Sequence, residues 1–148
     1  MVSRVITREE DRLSLISLIR DRPLPFTVEI VKGKRRSVEQ NRLQRRLLNE
    51  IAEQTDQTAE EVRAFCKLTI GVPILRNESE LFAEKYDRLI KHLPYAQKLE
   101  LMAEPFDFPI TRIMTTAQKT AFIEGIYRVF SEQGVVFSDT PEDRRAAA

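Results

Sequence analysis

Tryptophan is absent from these 148 residues, and cysteine and histidine occur once each, as Cys66 and His92. A lone cysteine excludes an internal disulfide and a multi-cysteine zinc site, and a lone histidine excludes a multi-histidine metal site. Cys66 falls in an apolar helical stretch, where a free thiol packs as a small hydrophobe, and a reducing cytoplasm suits it. His92 follows Lys91 near a helix end, where a surface capping role explains it. The four glycines, Gly33, Gly71, Gly125 and Gly134, are scattered singly. No phosphate-cradling loop can be written from them, so nucleotide hydrolysis is not expected. The opening MVSRVITREED has no apolar signal core and no run approaches a membrane span, so a soluble cytoplasmic protein is expected. No cofactor or metal is expected either.

Net charge is almost nil at +1, yet it is unevenly spread. Residues 32–46 hold Lys32, Lys34, Arg35, Arg36, Arg42, Arg45 and Arg46 against one acid, Glu39, a local +6. The chain before this window is neutral and the chain after it mildly acidic. Closely spaced cations suit closely spaced phosphates, because each neutralised phosphate releases a condensed counterion. A solvated basic face paired with acids elsewhere in the fold is the plainer alternative.

Ser37 followed by Gln40 has the spacing of a capping box, which predicts a helix from Val38 to about Gln54. Leu43, Leu47 and Ile51 then form one apolar stripe with Leu48 at its flank, and Arg42, Arg45 and Arg46 lie opposite. Gln40 and Gln44 fall on the apolar side, either buried and hydrogen-bonded or lining a polar groove. Thr7 with Glu10, Thr58 with Glu61, and Thr115 with Gln118 predict three more helix starts. Further helices are expected through Leu81 to Ile90 and from Tyr95 to Ala103, and the last long helix carries Phe122, Ile123, Ile126, Tyr127 and Phe130 before ending at Gly134. Strands are expected near residues 3–6, 26–32 and 110–114, the second from the alternation in Phe26-Thr27-Val28-Glu29-Ile30-Val31. Val72-Pro73-Ile74-Leu75 reads as extended. The proline-rich stretch Glu104 to Pro109 reads as an irregular loop and the strongest candidate for a functional one, with Phe106 and Phe108 as core anchors more than base-stacking platforms. The fold class expected is α+β, a small sheet covered by helices, in one domain over 1–139 with a frayed tail over 140–148.

The string Arg36-Ser37-Val38-Glu39-Gln40-Asn41-Arg42 resembles the R-S-x-x-Q-N-R signature of the NinB family, the Orf recombination mediators of lambdoid phages. A second similarity runs from Thr111-Arg112-Ile113-Met114 to Glu132-Gln133-Gly134-Val135 and Phe137-Ser138-Asp139. The resemblance implies a homodimeric accessory protein that binds single-stranded DNA, with duplex or junction DNA as further ligands. It also implies association with the host single-strand binding protein and help in loading a recombinase or annealing protein. Arg36, Gln40, Asn41, Arg42 and Arg112 are the positions that match its motifs. Only nine residues follow Asp139, where family members carry a further helix.

Two other classes compete with DNA binding without catalysis. A magnesium nuclease could be built from carboxylates, with Glu9, Glu10 and Asp11, or Glu29 near Lys32, as the clusters that invite it. The first three stand in a helix's first turn, where acids are expected anyway. An adaptor would use the same basic window to recruit an acidic protein tail.

Overall fold

The computed structural model describes residues 4–30 and 35–139, and the side chains of residues 35–38 lie outside that description. Seven α-helices follow one another among the described residues: α1 Glu9–Asp21, α2 Arg35–Gln54, α3 Ala59–Cys66, α4 Val72–Glu78, α5 Glu80–Leu89, α6 Tyr95–Met102 and α7 Thr116–Glu132. A π-helical turn, Lys67–Gly71, joins α3 to α4, and a 3-10 turn, Thr111–Ile113, precedes α7.

No strand occurs among the described residues, so the expected α+β class is corrected to all-helical. The physical reason lies in pairing. A strand needs a neighbouring edge for its amides and carbonyls, and alternation of β-branched residues does not supply one. Residues 4–6 and 26–30 have no regular structure, with Val28 and Ile30 exposed. Ile110 is buried, and the chain after it bonds locally, Ile113 N–H to Ile110 O and Met114 N–H to Thr111 O. That local turn replaces the expected third strand.

Two further boundaries move. Helix α2 begins at Arg35, three residues before the expected start, so Ser37 lies inside the helix and not at its cap. Val72 to Leu75 is helical where an extended segment was expected. The π turn explains how. Its wider ring, closed by Val72 N–H to Lys67 O, carries the chain into α4 with Pro73 in the first turn, where a missing N–H costs little.

The Thr58, Ser79 and Thr115 hydroxyls accept from the amides of Glu61, Phe82 and Gln118, fixing the starts of α3, α5 and α7. At α1 the acceptor is Asp11, which takes the amides of Thr7 and Arg8, and not the expected Glu10. Gly134, at φ +94°, ends the last helix in the left-handed region that glycine enters freely.

The helix running through α3, the π turn and α4 separates two apolar clusters. On one side Val62, Cys66 and Ile70 meet Leu47 and Ile51 of α2 and Phe122, Ile126 and Phe130 of α7. On the other, Ala64, Leu68, Val72 and Leu75 meet Tyr86, Ile90, Met102 and Ile110. The π turn is gripped from both sides: a Cβ on Gly125 would stand 2.6 Å from Ile70, and one on Gly71 would stand 2.5 Å from Ile110. Helix α1 buries no residue, and Leu13 and Ile16 remain exposed. No described helix is long and apolar enough to cross a membrane.

Candidate nucleic-acid interface

Helix α2 turns one face inward and the other outward, as its stripe requires. Leu47, Leu48 and Ile51 are buried in the first cluster, together with Gln40 and Gln44 one to two turns earlier. Arg42 and Arg45 are exposed, and neither has an ion-pair partner among the described residues. Arg46 differs: its guanidinium lies 3.1 Å from the buried carboxylate of Asp139. Arg35 and Arg36 stand in the first turn of α2, Lys32 and Lys34 lie outside the described residues, and Arg112 is exposed on the 3-10 turn.

The inner polar residues of α2 bond to the start of α7. Gln40 Nε2 donates to Thr120 Oγ1 at 2.9 Å, which gives this buried amide a partner. Lys119 Nζ donates to Asn41 Oδ1 at 2.9 Å. Gln44 Oε1, one turn further along α2, is buried without a partner among the described residues. Gln40 and Asn41 thus serve the α2–α7 seam through their side chains, while the neighbouring Arg42 faces outward.

After α7 the chain returns along α2. Gln54 exchanges two hydrogen bonds with the Val136 backbone, Ser138 Oγ donates to Glu50, and Asp139 meets Arg46 and the Tyr127 hydroxyl. Residues 136–139 therefore pack on the second half of the helix whose first turns carry residues 36–42. Arg112 stands four residues before α7 begins, at the end of that helix whose first turns touch Gln40 and Asn41.

Sequence reasoning passed over Lys119, although the signal was present. It precedes Phe122 and Ile123 by three and four residues, on the apolar stripe of α7. Lys119 is 8% exposed, and burial pushes its ammonium down to about 8. Among the described residues no carboxylate bonds to it.

The proline-rich loop holds a second polar cluster on the far side of α3. Lys67 Nζ donates to Met102 O at 2.6 Å and to Asp107 Oδ1 at 2.7 Å, and Arg63 reaches the same oxygen at 2.8 Å. Arg63 also forks onto Glu60, which accepts the Glu104 amide. These donors hold the Asp107 carboxyl below the usual carboxylate range, Lys67 first and Arg63 next. Phe108 packs on the second cluster as an anchor, whereas Phe106 is 72% exposed, against its expected anchoring role.

The acids considered for a nuclease are dispersed among partners. Asp11 caps α1, Glu9 lies 3.3 Å from Arg12, and Glu10 lies 3.6 Å from Arg8. Among the described residues no three metal-ligating side chains gather around one point. Compared with family models, curated proteins and solved structures, the chain finds no match in any of the three.

Proposed function

We propose that this chain is a DNA-binding accessory protein of recombination, of the NinB type that residues 36–42 resemble. It binds single-stranded DNA through the outer face of α2 and helps a recombinase or annealing protein load onto strands coated by single-strand binding protein. The observation that carries this reading is the exposure of Arg42 and Arg45, without partners among the described residues, on a helix whose opposite face is sealed into the core. Cations already paired with acids would lose as much as they gain on meeting a phosphate. Arg46, held by Asp139, contributes less, and Arg112 extends the surface from the far side of the α2–α7 seam. Action in the bacterial cytoplasm and a homodimeric state belong to the same reading.

Salt-titrated binding of a single-stranded oligonucleotide and its duplex tests it. Affinity falls as salt rises, and Arg42→Ala with Arg45→Ala reduces the slope of log affinity against log salt by about 1.4, two single-strand phosphates at about 0.7 each. Salt-independent binding, or an unchanged slope in the double variant, overturns the assignment. If the variant keeps its DNA affinity and loses association with an acidic protein tail, the adaptor reading replaces it. Strand cleavage in magnesium would move the chain to the nucleases.

A further inference from the structure

Two lysines are buried among the described residues, and of these only Lys67 meets a carboxylate. Lys67 meets a carboxylate and a carbonyl. Among the described residues Lys119 meets only the amide oxygen of Asn41, which leaves two of its three N–H groups without an acceptor there. A buried ammonium without a counter-charge is costly, and proteins retain few of them for packing alone. Asn41 is exposed and immediately precedes Arg42, so the Lys119 ammonium lies one amide group inside the outward face of α2.

From this geometry we infer that Lys119, with Asn41 as its guide, is a phosphate-binding group at the α2–α7 seam, taking the same ligand that Arg42 and Arg45 hold from outside. The inference rests on the DNA-binding reading for the source of that phosphate, a phosphodiester of the backbone. Free phosphate has the same chemistry and is separated below. When the phosphate arrives it supplies the missing acceptors, and the amine takes up a proton wherever it was neutral. Binding is then strongest below about pH 8 and weakens above it, which the arginines alone would not produce.

Other charged groups near the seam are engaged elsewhere. On α2, Arg46 meets Asp139 and Glu50 accepts from Ser138, while Glu39 has its own interaction. On α4 and the π turn, Glu78 accepts from Gln118 at 2.6 Å, Arg76 pairs with Asp87, and Lys67 pairs with Asp107. Glu124 and Arg128 on α7 itself are exposed and make no bond to Lys119.

The test uses the full chain with 13C-labelled lysine, the Lys119 Cε signal being identified by its loss in Lys119→Met. Inorganic phosphate alone and a short deoxyadenylate oligonucleotide, whose bases do not titrate from pH 7 to 9.5, are added separately. Both ligands are expected to raise the Lys119 titration midpoint, the oligonucleotide by at least a unit, equivalent to about tenfold in affinity. Lys119→Met should abolish the pH step in binding and lower the salt slope by about 0.7. Lys119→Arg should keep the slope and lose the pH step. If the oligonucleotide binds while the Lys119 midpoint stays fixed, the inference fails and the DNA-binding reading stands. If phosphate moves the midpoint and the oligonucleotide does not bind at all, the backbone source and the proposed function both fail. A midpoint that neither ligand moves overturns the site. Lys119→Arg removes the same lysine signal and so assigns it independently, which keeps the wild-type titration decisive if Lys119→Met misfolds.

Discussion

Lys67 and Lys119 are both buried, on opposite sides of the helix that divides the core, and their surroundings differ in one respect. Lys67 sits under a loop that brings Asp107 and the Met102 carbonyl to it, at distances typical of charge-assisted bonds. Burial pushes its ammonium down, and the bond to Asp107 pushes back. Lys119 has no such opposition and burial acts on it alone. A buried lysine with a carboxylate holds a loop in place. One without a carboxylate is a cost the fold carries for another reason, and its position behind Arg42 suggests what that reason is.

The most forceful way to break this contrast is to make the same substitution twice. Lys67→Met strips the Met102 carbonyl of its donor and leaves Asp107 to Arg63 alone. Removing one partner of a fully buried pair costs about 3–5 kcal/mol, and because Asp107 is partly exposed the loss here should be nearer 2–3 kcal/mol. Lys119→Met removes an ammonium that lacks a counter-charge and replaces it with an apolar chain of similar length, so at neutral pH it should stabilise the protein by about 1 kcal/mol. Urea unfolding of the two variants at pH 7 measures both. Equal destabilisation would show that the two lysines play the same structural part.

Titration sharpens the contrast with a smaller effect and opposite pH windows. The folded chain holds Asp107 and Glu60 below their ordinary values, so their contribution is present at neutral pH and is lost as pH falls through those lowered values. For Lys119 the folded value is about 8 against an ordinary 10.5. Between those values the unfolded chain binds the extra proton, so stability rises with pH there, and below about 8 the penalty is present in full. Wild-type protein should therefore gain stability between pH 8 and 10, and Lys119→Met should lose that gain. Asp107→Asn should flatten the acid side and, by leaving the burial of the Lys67 ammonium less opposed, steepen the alkaline gain.

Much of this was legible in the sequence where the signal is local. The caps at Thr58 and Thr115, the α2 leucine stripe and the Gly134 stop depend on spacings of a few residues, and they appear where those spacings place them. The strands were misread because β-branched alternation describes a surface looking for a partner edge, and no described segment provides one. Pro73 misleads because its effect on the preceding residue is a bias that packing overrides: Val72 stands at φ −57°, ψ −48°, in the ordinary helical region, with Pro73 in the first turn of α4. The candidate site divides in the same way. The outward arginines followed from periodicity alone, whereas the pairing of Arg46 with Asp139 required the return of residues 135–139 along α2, a contact across most of the chain's length.

That return path supports the smallest prediction, a comparison of neighbouring arginines on one helix. Arg45 is exposed with no ion-pair partner among the described residues, and Arg46 is half exposed against an Asp139 side chain that is almost fully enclosed. Arg45→Ala should change unfolding free energy by less than about 0.5 kcal/mol, as surface substitutions do. It should still lower the single-strand salt slope by about 0.7. Arg46→Ala should do the reverse. It removes the Arg46 guanidinium from Asp139, although the Tyr127 hydroxyl remains bonded to the carboxylate, and a cost of about 1 kcal/mol is expected for a half-exposed pair. Its salt slope should fall by less than that of Arg45→Ala, because an arginine already bonded to a carboxylate releases fewer counterions from DNA. If the two variants change stability and slope alike, the Asp139 pair does not form in solution, and the C-terminal return along α2 is not what separates the structural arginine from the binding one.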